Sequence, residues 1–271
     1  MSLLRFTRYF RPNTHALRPN TLARPNAMES FFKPSHSLGL NLSSRSFVSK
    51  IARNYYRDTY PIKRNIIYGT IGLNCSIFAY YHYLRFQTQH GAQRDSFVNF
   101  VRNFTMNLNE VRDRGRWWTI LTSNYTHFHP FHLLGNMLSF YYMATLLAHT
   151  PAVTPIRLVT LIMGAGLSGS FLHLYKKTQD VKETGGVDRS IALGFSGAVM
   201  GVGSLAACLY PRTTFLIYGI VPVPLWLLMG GYFVYDGYYL NSQASNVGHG
   251  GHIGGVLFGL AYFARLRFLK F

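Results

Sequence analysis

The chain has 271 residues, 48% of them apolar or aromatic and only 13% charged, with a formal net charge of +18. Length alone permits one or two domains. The basic excess would suit a nucleic-acid binder, but it is not interleaved with a folded recognition motif and long apolar runs follow it, so nucleic acid is set aside as a partner.

Residues 1–64 carry 12 Lys/Arg against two acids, Glu29 and Asp58, while the remaining 207 residues carry 15 against seven and hold the apolar runs. Arginines recur at Arg5, Arg8, Arg11, Arg18 and Arg24 among Ser, Asn and Pro, no acid precedes Glu29, and no apolar run there is long enough for a secretory signal. Residues 1–60 therefore read as a mitochondrial transit peptide and flexible basic linker, with a chloroplast address as the runner-up. Residues 61–271 form the second part.

Crossing the hydrocarbon layer takes about 17 to 25 apolar residues. Six runs meet that length, near 65–84, 131–149, 156–175, 191–210, 213–235 and 250–266. His and Asn dilute the second and Gly the sixth. Sustained period-two alternation is missing, which argues against a barrel. The fold class expected is all-α, a polytopic membrane protein of six transmembrane helices. Residues 85–130 form a long mixed-charge loop in which Arg112, Arg114 and Arg116 lead into Trp117-Trp118, an aromatic pair suited to lipid headgroups. Cys75 and Cys208 both lie inside apolar runs and read as small buried hydrophobes, without disulfide or metal. Lys and Arg are nearly balanced between the two sets of loops, so charge does not orient the chain. If the leader enters the matrix, both termini face it.

The polar residues of the apolar runs are few and grouped. His132 and Asn136 lie in run two, Ser196 in run four and His252 in run six. Runs two, four and six cross in one direction and carry these groups near their starts, so a rise of about 1.5 Å per residue places all four within one or two turns of one membrane face. Gly197 and Gly201, then Gly251, Gly255 and Gly259, repeat at four-residue spacing. Such stripes let helix backbones approach closely, close enough for a Ser196 hydroxyl to meet a His252 ring nitrogen as nucleophile and base. Either glycine motif alone more often signals packing; the histidine at matching depth favours catalysis. His132 and Asn136 are one turn apart and, with the Ser196 N–H, supply donors for an oxyanion. Interhelical polar bonding explains the same pair and is compatible with that role.

His127 followed by His132 and Asn136, then Gly194-Phe195-Ser196-Gly197, then His252 with Gly255 and Gly259, resembles the rhomboid intramembrane serine proteases over residues 65–266. With the basic leader, the mitochondrial branch is the most similar. The resemblance implies that Ser196 is the nucleophile and His252 the general base of a dyad lacking an acidic third member. It implies an oxyanion hole of His132, Asn136 and the Ser196 backbone, with His127 as a structural histidine tying down the first loop. Substrates would be single-pass membrane proteins cleaved in or near the transmembrane segment, among them, for mitochondrial members, a dynamin-like GTPase; no metal or other cofactor is implied. Three departures stand out. The first loop reads Arg116-Trp117-Trp118 where many relatives have Trp-Arg, Met200 stands where bacterial members have a tyrosine stacked on the histidine, and the seventh span of many mitochondrial relatives is missing.

Rival readings are a catalytically silent, client-binding rhomboid-like protein, a histidine-based transporter, and a metal site drawn from His127, His129, His132, His249 and His252. Against the last, there is no HExxH, and the nearest acid, Asp236, ends run five. Within run five, Pro222, Pro224 and Gly230-Gly231 predict a loosened helix, either a lateral gate or a static kink.

Overall fold

A computed structural model describes residues 42–91, 93–217, 219–242 and 247–268. Of residues 1–60, read as transit peptide and flexible linker, 1–41 lie outside them. The chain divides into two compact units, Met1–Lys50 and Ile51–Phe271. Helix α1 (Leu42–Gln89) covers the first apolar run and takes in the last residues of the expected linker.

The long loop is not featureless. It folds as α2 (Asp95–Phe104), α3 (Leu108–Arg112), α4 (Thr119–Thr122) and a 3-10 turn, Ser123–Tyr125. Asn107 caps α3 by accepting from the N–H groups of Asn109 and Glu110. Glu110 then pairs with Arg114 and Arg116, each at 3.0 Å, so the arginine run is tied within the loop. Trp117 and Trp118 remain largely exposed, the latter donating to Asn103. Phe100 stacks on Phe104, and Tyr81 of α1 on Phe128, which fastens the loop to α1 through a small aromatic cluster.

Helix α5 (Pro130–Ala148) and helix α6 (Pro155–Thr184) both open on proline, whose missing N–H costs nothing in a first turn. Thr154 caps α6 and Gly185, at φ +63°, ends it. Helix α7 (Ser196–Leu209) is the centre of the molecule: every residue from Gly197 to Ala207 is buried. Around it stand α5, α6, helix α8 (Leu225–Tyr239) and helix α9 (His249–Phe268). Phe140 and Leu147 of α5, Leu158 and Leu161 of α6, Leu225 of α8 and Val256 of α9 fill the core against Val202 and Leu205. The outward faces are apolar too, with Tyr142, Ile156, Trp226, Val234 and Tyr238 all more than half exposed. A bundle apolar inside and out suits a hydrocarbon surround. Among the described residues, α6 alone is a helix long and apolar enough by itself to cross a membrane; α7 is apolar but shorter.

The fifth run corrects the all-α expectation. Residues 213–235 are not one helix: β1 (Thr214–Ile217) pairs antiparallel with β2 (Val221–Pro224), and α8 begins only at Leu225. Pro222 and Pro224 sit in β2, where a two-stranded ribbon leaves an open edge for a residue without N–H. They therefore loosen no helix, and the gate argument loses its prolines. The fourth run also starts later as helix than expected, at Ser196 instead of 191.

The glycine stripes lie where α6, α7 and α9 cross. A Cβ on Gly255 would strike the Gly197 carbonyl, one on Gly259 the Gly201 carbonyl, and one on Gly254 would stand 2.5 Å from the Ser168 carbonyl. Ser168 Oγ also donates to Gly254 O at 2.9 Å. The helices touch backbone to backbone, which no residue with a side chain permits.

Candidate active site

The segment before Ser196 is held at three residues by four hydrogen bonds. Met106 and Ala192 exchange backbone bonds of 2.9 and 2.7 Å, Gly194 N–H donates to Ser123 O at 2.9 Å, and Phe195 N–H donates to His127 Nε2 at 3.3 Å. Gly194 adopts φ +126°, and a Cβ there would stand 2.7 Å from the His132 ring, so both conformation and space require glycine. The Phe195 ring is buried edge-on against Phe140. The turn delivers Ser196 as the first residue of α7, where the N–H groups of the first turn have no intrahelical acceptor and the helix dipole is positive.

Ser196 Oγ lies 2.8 Å from His252 Nε2. The Gly197–Gly255 contact one turn on places the two backbones close enough for this bond. The other side of the imidazole is not free: His252 Nδ1 is 3.1 Å from both oxygens of Asp236, a carboxylate on α8 that is 1% exposed. The same carboxylate takes a second contact, His249 Nδ1 to Oδ1 at 2.6 Å. The resemblance implies a dyad without an acidic third member; in this chain a buried carboxylate stands against the imidazole. Antiparallel α8 and α9 bring the end of one beside the start of the other, and His249 and His252, three apart, share a helix face. In the sequence Asp236 enters only as the acid nearest the rival metal site. The signal that could have found it was the lone carboxylate in an apolar run, a functional candidate by default.

His127 is fully buried and joins three elements. Its Nε2 accepts from Phe195 N–H and from Asn136 Nδ2 at 3.2 Å, so the proton resides on Nδ1, which has no partner. Burial, then the neighbouring His132, pushes the ring down to about 3, so it is neutral. Asn136 gives its other amide hydrogen to His132 O at 3.0 Å. Both hydrogens are thus engaged, and Asn136 reaches an oxyanion only by exchanging one of them. The His132 ring, by contrast, is exposed beside Gly194 and edge-on to His127 at 4.9 Å. Gly194, Gly197, Gly255 and Gly259 all lie in this site or its supporting seam. Among the described residues no three His, Cys, Asp or Glu side chains converge as a metal ion would need; the thiols of Cys75 and Cys208 are free, and neither is the buried hydrophobe expected, Cys75 being exposed and Cys208 half-buried.

Comparison with known proteins gives the site a context. The Rhomboid domain family matches residues 114–267, from within the first loop through nearly all of α9. The mitochondrial RHOMBOID-like protein 12 of Arabidopsis thaliana is 27% identical over 214 residues, 75% of this chain and 59% of that protein. An uncharacterized mitochondrial rhomboid protein of Schizosaccharomyces pombe is 23% identical over 195 residues, 54% of this chain and 49% of its own. The chain thus spans about half the length of the curated relatives it matches. With the family's domain covering more than half of its residues, the chain belongs to the rhomboid family.

Proposed function

We propose that this chain is an intramembrane serine endopeptidase of mitochondria that cleaves single-pass inner-membrane proteins in or near their transmembrane segments. The observation that carries the reading is the 2.8 Å approach of His252 Nε2 to Ser196 Oγ between two helices in glycine contact. A serine is a weak nucleophile until a base takes its proton. His252 removes that proton as Oγ bonds to the scissile carbonyl carbon. The C–N bond then breaks, the leaving amine takes the proton from His252, and water, activated by the same ring, releases the acyl group from Ser196. The oxyanion meets His132 and the Ser196 N–H at the positive end of α7, and Asn136 joins by surrendering its bond to His127.

In this reading α1 and α5 to α9 are the six crossings. At about 1.5 Å per residue α7 is only about 21 Å long, less than the hydrocarbon layer, so Ser196 lies below the membrane surface. The residues before Ser196 are tolerated at that depth because Met106, Ser123 and His127 of the first loop bond the backbone of Ala192, Gly194 and Phe195. The matrix leader places both termini in the matrix and opens the site to the intermembrane space. The family's general activity and the word mitochondrial in both relatives' names support enzyme and compartment. Processing of a dynamin-like GTPase is the first substrate to test.

A fluorophosphonate probe tests the nucleophile directly. Phosphonylation of the Ser196 peptide, seen by mass spectrometry and lost in His252→Ala, is the expected result. Labelling equal in Ser196→Ala would reject the assignment.

A further inference from the structure

We propose that Asp236 and His249 are positioning residues that fix the tautomer and orientation of His252, an inference that rests on the protease reading above. The argument starts from burial. Asp236 is 1% exposed and His249 is 4% exposed, each inside an otherwise apolar part of the bundle. A carboxylate placed there persists only where donors satisfy it. Two donors are present, both imidazole Nδ1 atoms, at 2.6 Å from His249 and 3.1 Å from His252. An anionic carboxylate only accepts, so each ring must carry its proton on Nδ1. For His252 the consequence is decisive: with Nδ1 protonated, Nε2 presents a lone pair, and it is Nε2 that faces Ser196 Oγ. A base aimed at the hydroxyl is the state acyl transfer requires.

The near-equal distances from His252 Nδ1 to both Asp236 oxygens place the ring opposite the middle of the carboxylate. His249 also holds Oδ1, at 2.6 Å, and this second bond restrains the carboxylate from turning about its own axis. His249 is itself clamped, with Tyr239 stacked on it at 5.9 Å and Tyr235 edge-on at 5.7 Å. A chain of fixed orientations thus runs from the aromatic end of α8 through His249 and Asp236 to His252. The imidazole of His252 is thus held by hydrogen bonds through its edge.

The experiment combines tautomer and turnover in the full chain. Protein labelled with 15N-histidine and solubilised in detergent should show His252 and His249 as Nδ1-protonated tautomers, assigned by loss of each signal in His252→Ala and His249→Ala. In Asp236→Asn, the amide can accept from only one ring, so His252 should move toward the Nε2-protonated form. Cleavage by that variant should fall about 10²- to 10⁴-fold in kcat with KM little changed. His249→Ala should cost about 10- to 100-fold, and His249→Gln, which restores a donor, should recover part of it. An Nε2-protonated His252 in the wild type overturns the proposal even if Asp236→Asn fails to fold. Wild-type kcat in a folded Asp236→Asn overturns it as well. Cleavage by Ser196→Ala would instead overturn the protease reading, so the two failures are distinguishable.

Discussion

At the scale of single residues, His127 links chemistry to pH. Its ring is held down to about 3 by burial, whereas an unfolded histidine titrates at about 6.5. Between those values the unfolded chain binds a proton that the folded chain refuses, so stability rises with pH across the window and is lost as pH falls from ~6.5 toward 3. The thermal unfolding midpoint of solubilised protein should drop over that range, and His127→Gln should flatten part of the drop. An unchanged slope in the variant would remove His127 from the account. Asn136→Ala leaves His127 Nε2 with one donor fewer and His132 O with none from the amide, at a cost of about 1–3 kcal/mol. It should lower kcat as well, and melting and turnover measured together would separate the two effects. The sequence made Ser196, His252, His132 and His127 visible because hydroxyls and imidazoles in glycine-flanked apolar runs are costly without a role. Asp236 was equally visible as a charge. Its partners were not, because no local pattern states how far the end of α8 lies from the start of α9.

Among the elements, the α7–α9 seam carries the most weight. Any Cβ at Gly255 meets the Gly197 carbonyl, so Gly255→Ala should destabilise by about 1–3 kcal/mol and separate Ser196 from His252, abolishing most cleavage. The glycines of α8 make the opposite case. Nothing lies within 4 Å of a Cβ on Gly230 or Gly231, so Gly230→Ala and Gly231→Ala should stabilise the helix by about 0.5–1 kcal/mol each. If α8 must bend to admit substrate, that gain in melting comes with slower cleavage; if it is static, cleavage is unchanged. Four-residue glycine spacing was legible because a helix repeats every 3.6 residues, so small residues at that interval form one stripe. The β1–β2 ribbon was not legible. Its residues, Thr214 to Pro224, are as apolar as a crossing helix, and apolar content alone does not separate strand from helix. The two prolines, read as helix weakeners, were the signal for a helix that had not yet begun.

For the whole molecule, the six apolar runs each contain a helix, yet their lengths differ widely, from 14 residues in α7 to 48 in α1. Hydropathy reports where the chain is apolar, and the structure shows why the runs need not be equal: α7 is sheathed by protein on every side, so it meets no lipid that would demand a full crossing. The outer helices carry the exposed aromatic and aliphatic side chains that face the surround. The central claim, that Ser196 and His252 together cut peptide bonds within this bundle, is tested most directly by cleavage in reconstituted liposomes. Wild type, Ser196→Ala and His252→Ala would be compared on a panel of single-pass inner-membrane proteins, with each variant's fold checked by thermal unfolding. The account predicts cleavage by the wild type and none above background by either folded variant; cleavage that persists in Ser196→Ala would contradict it.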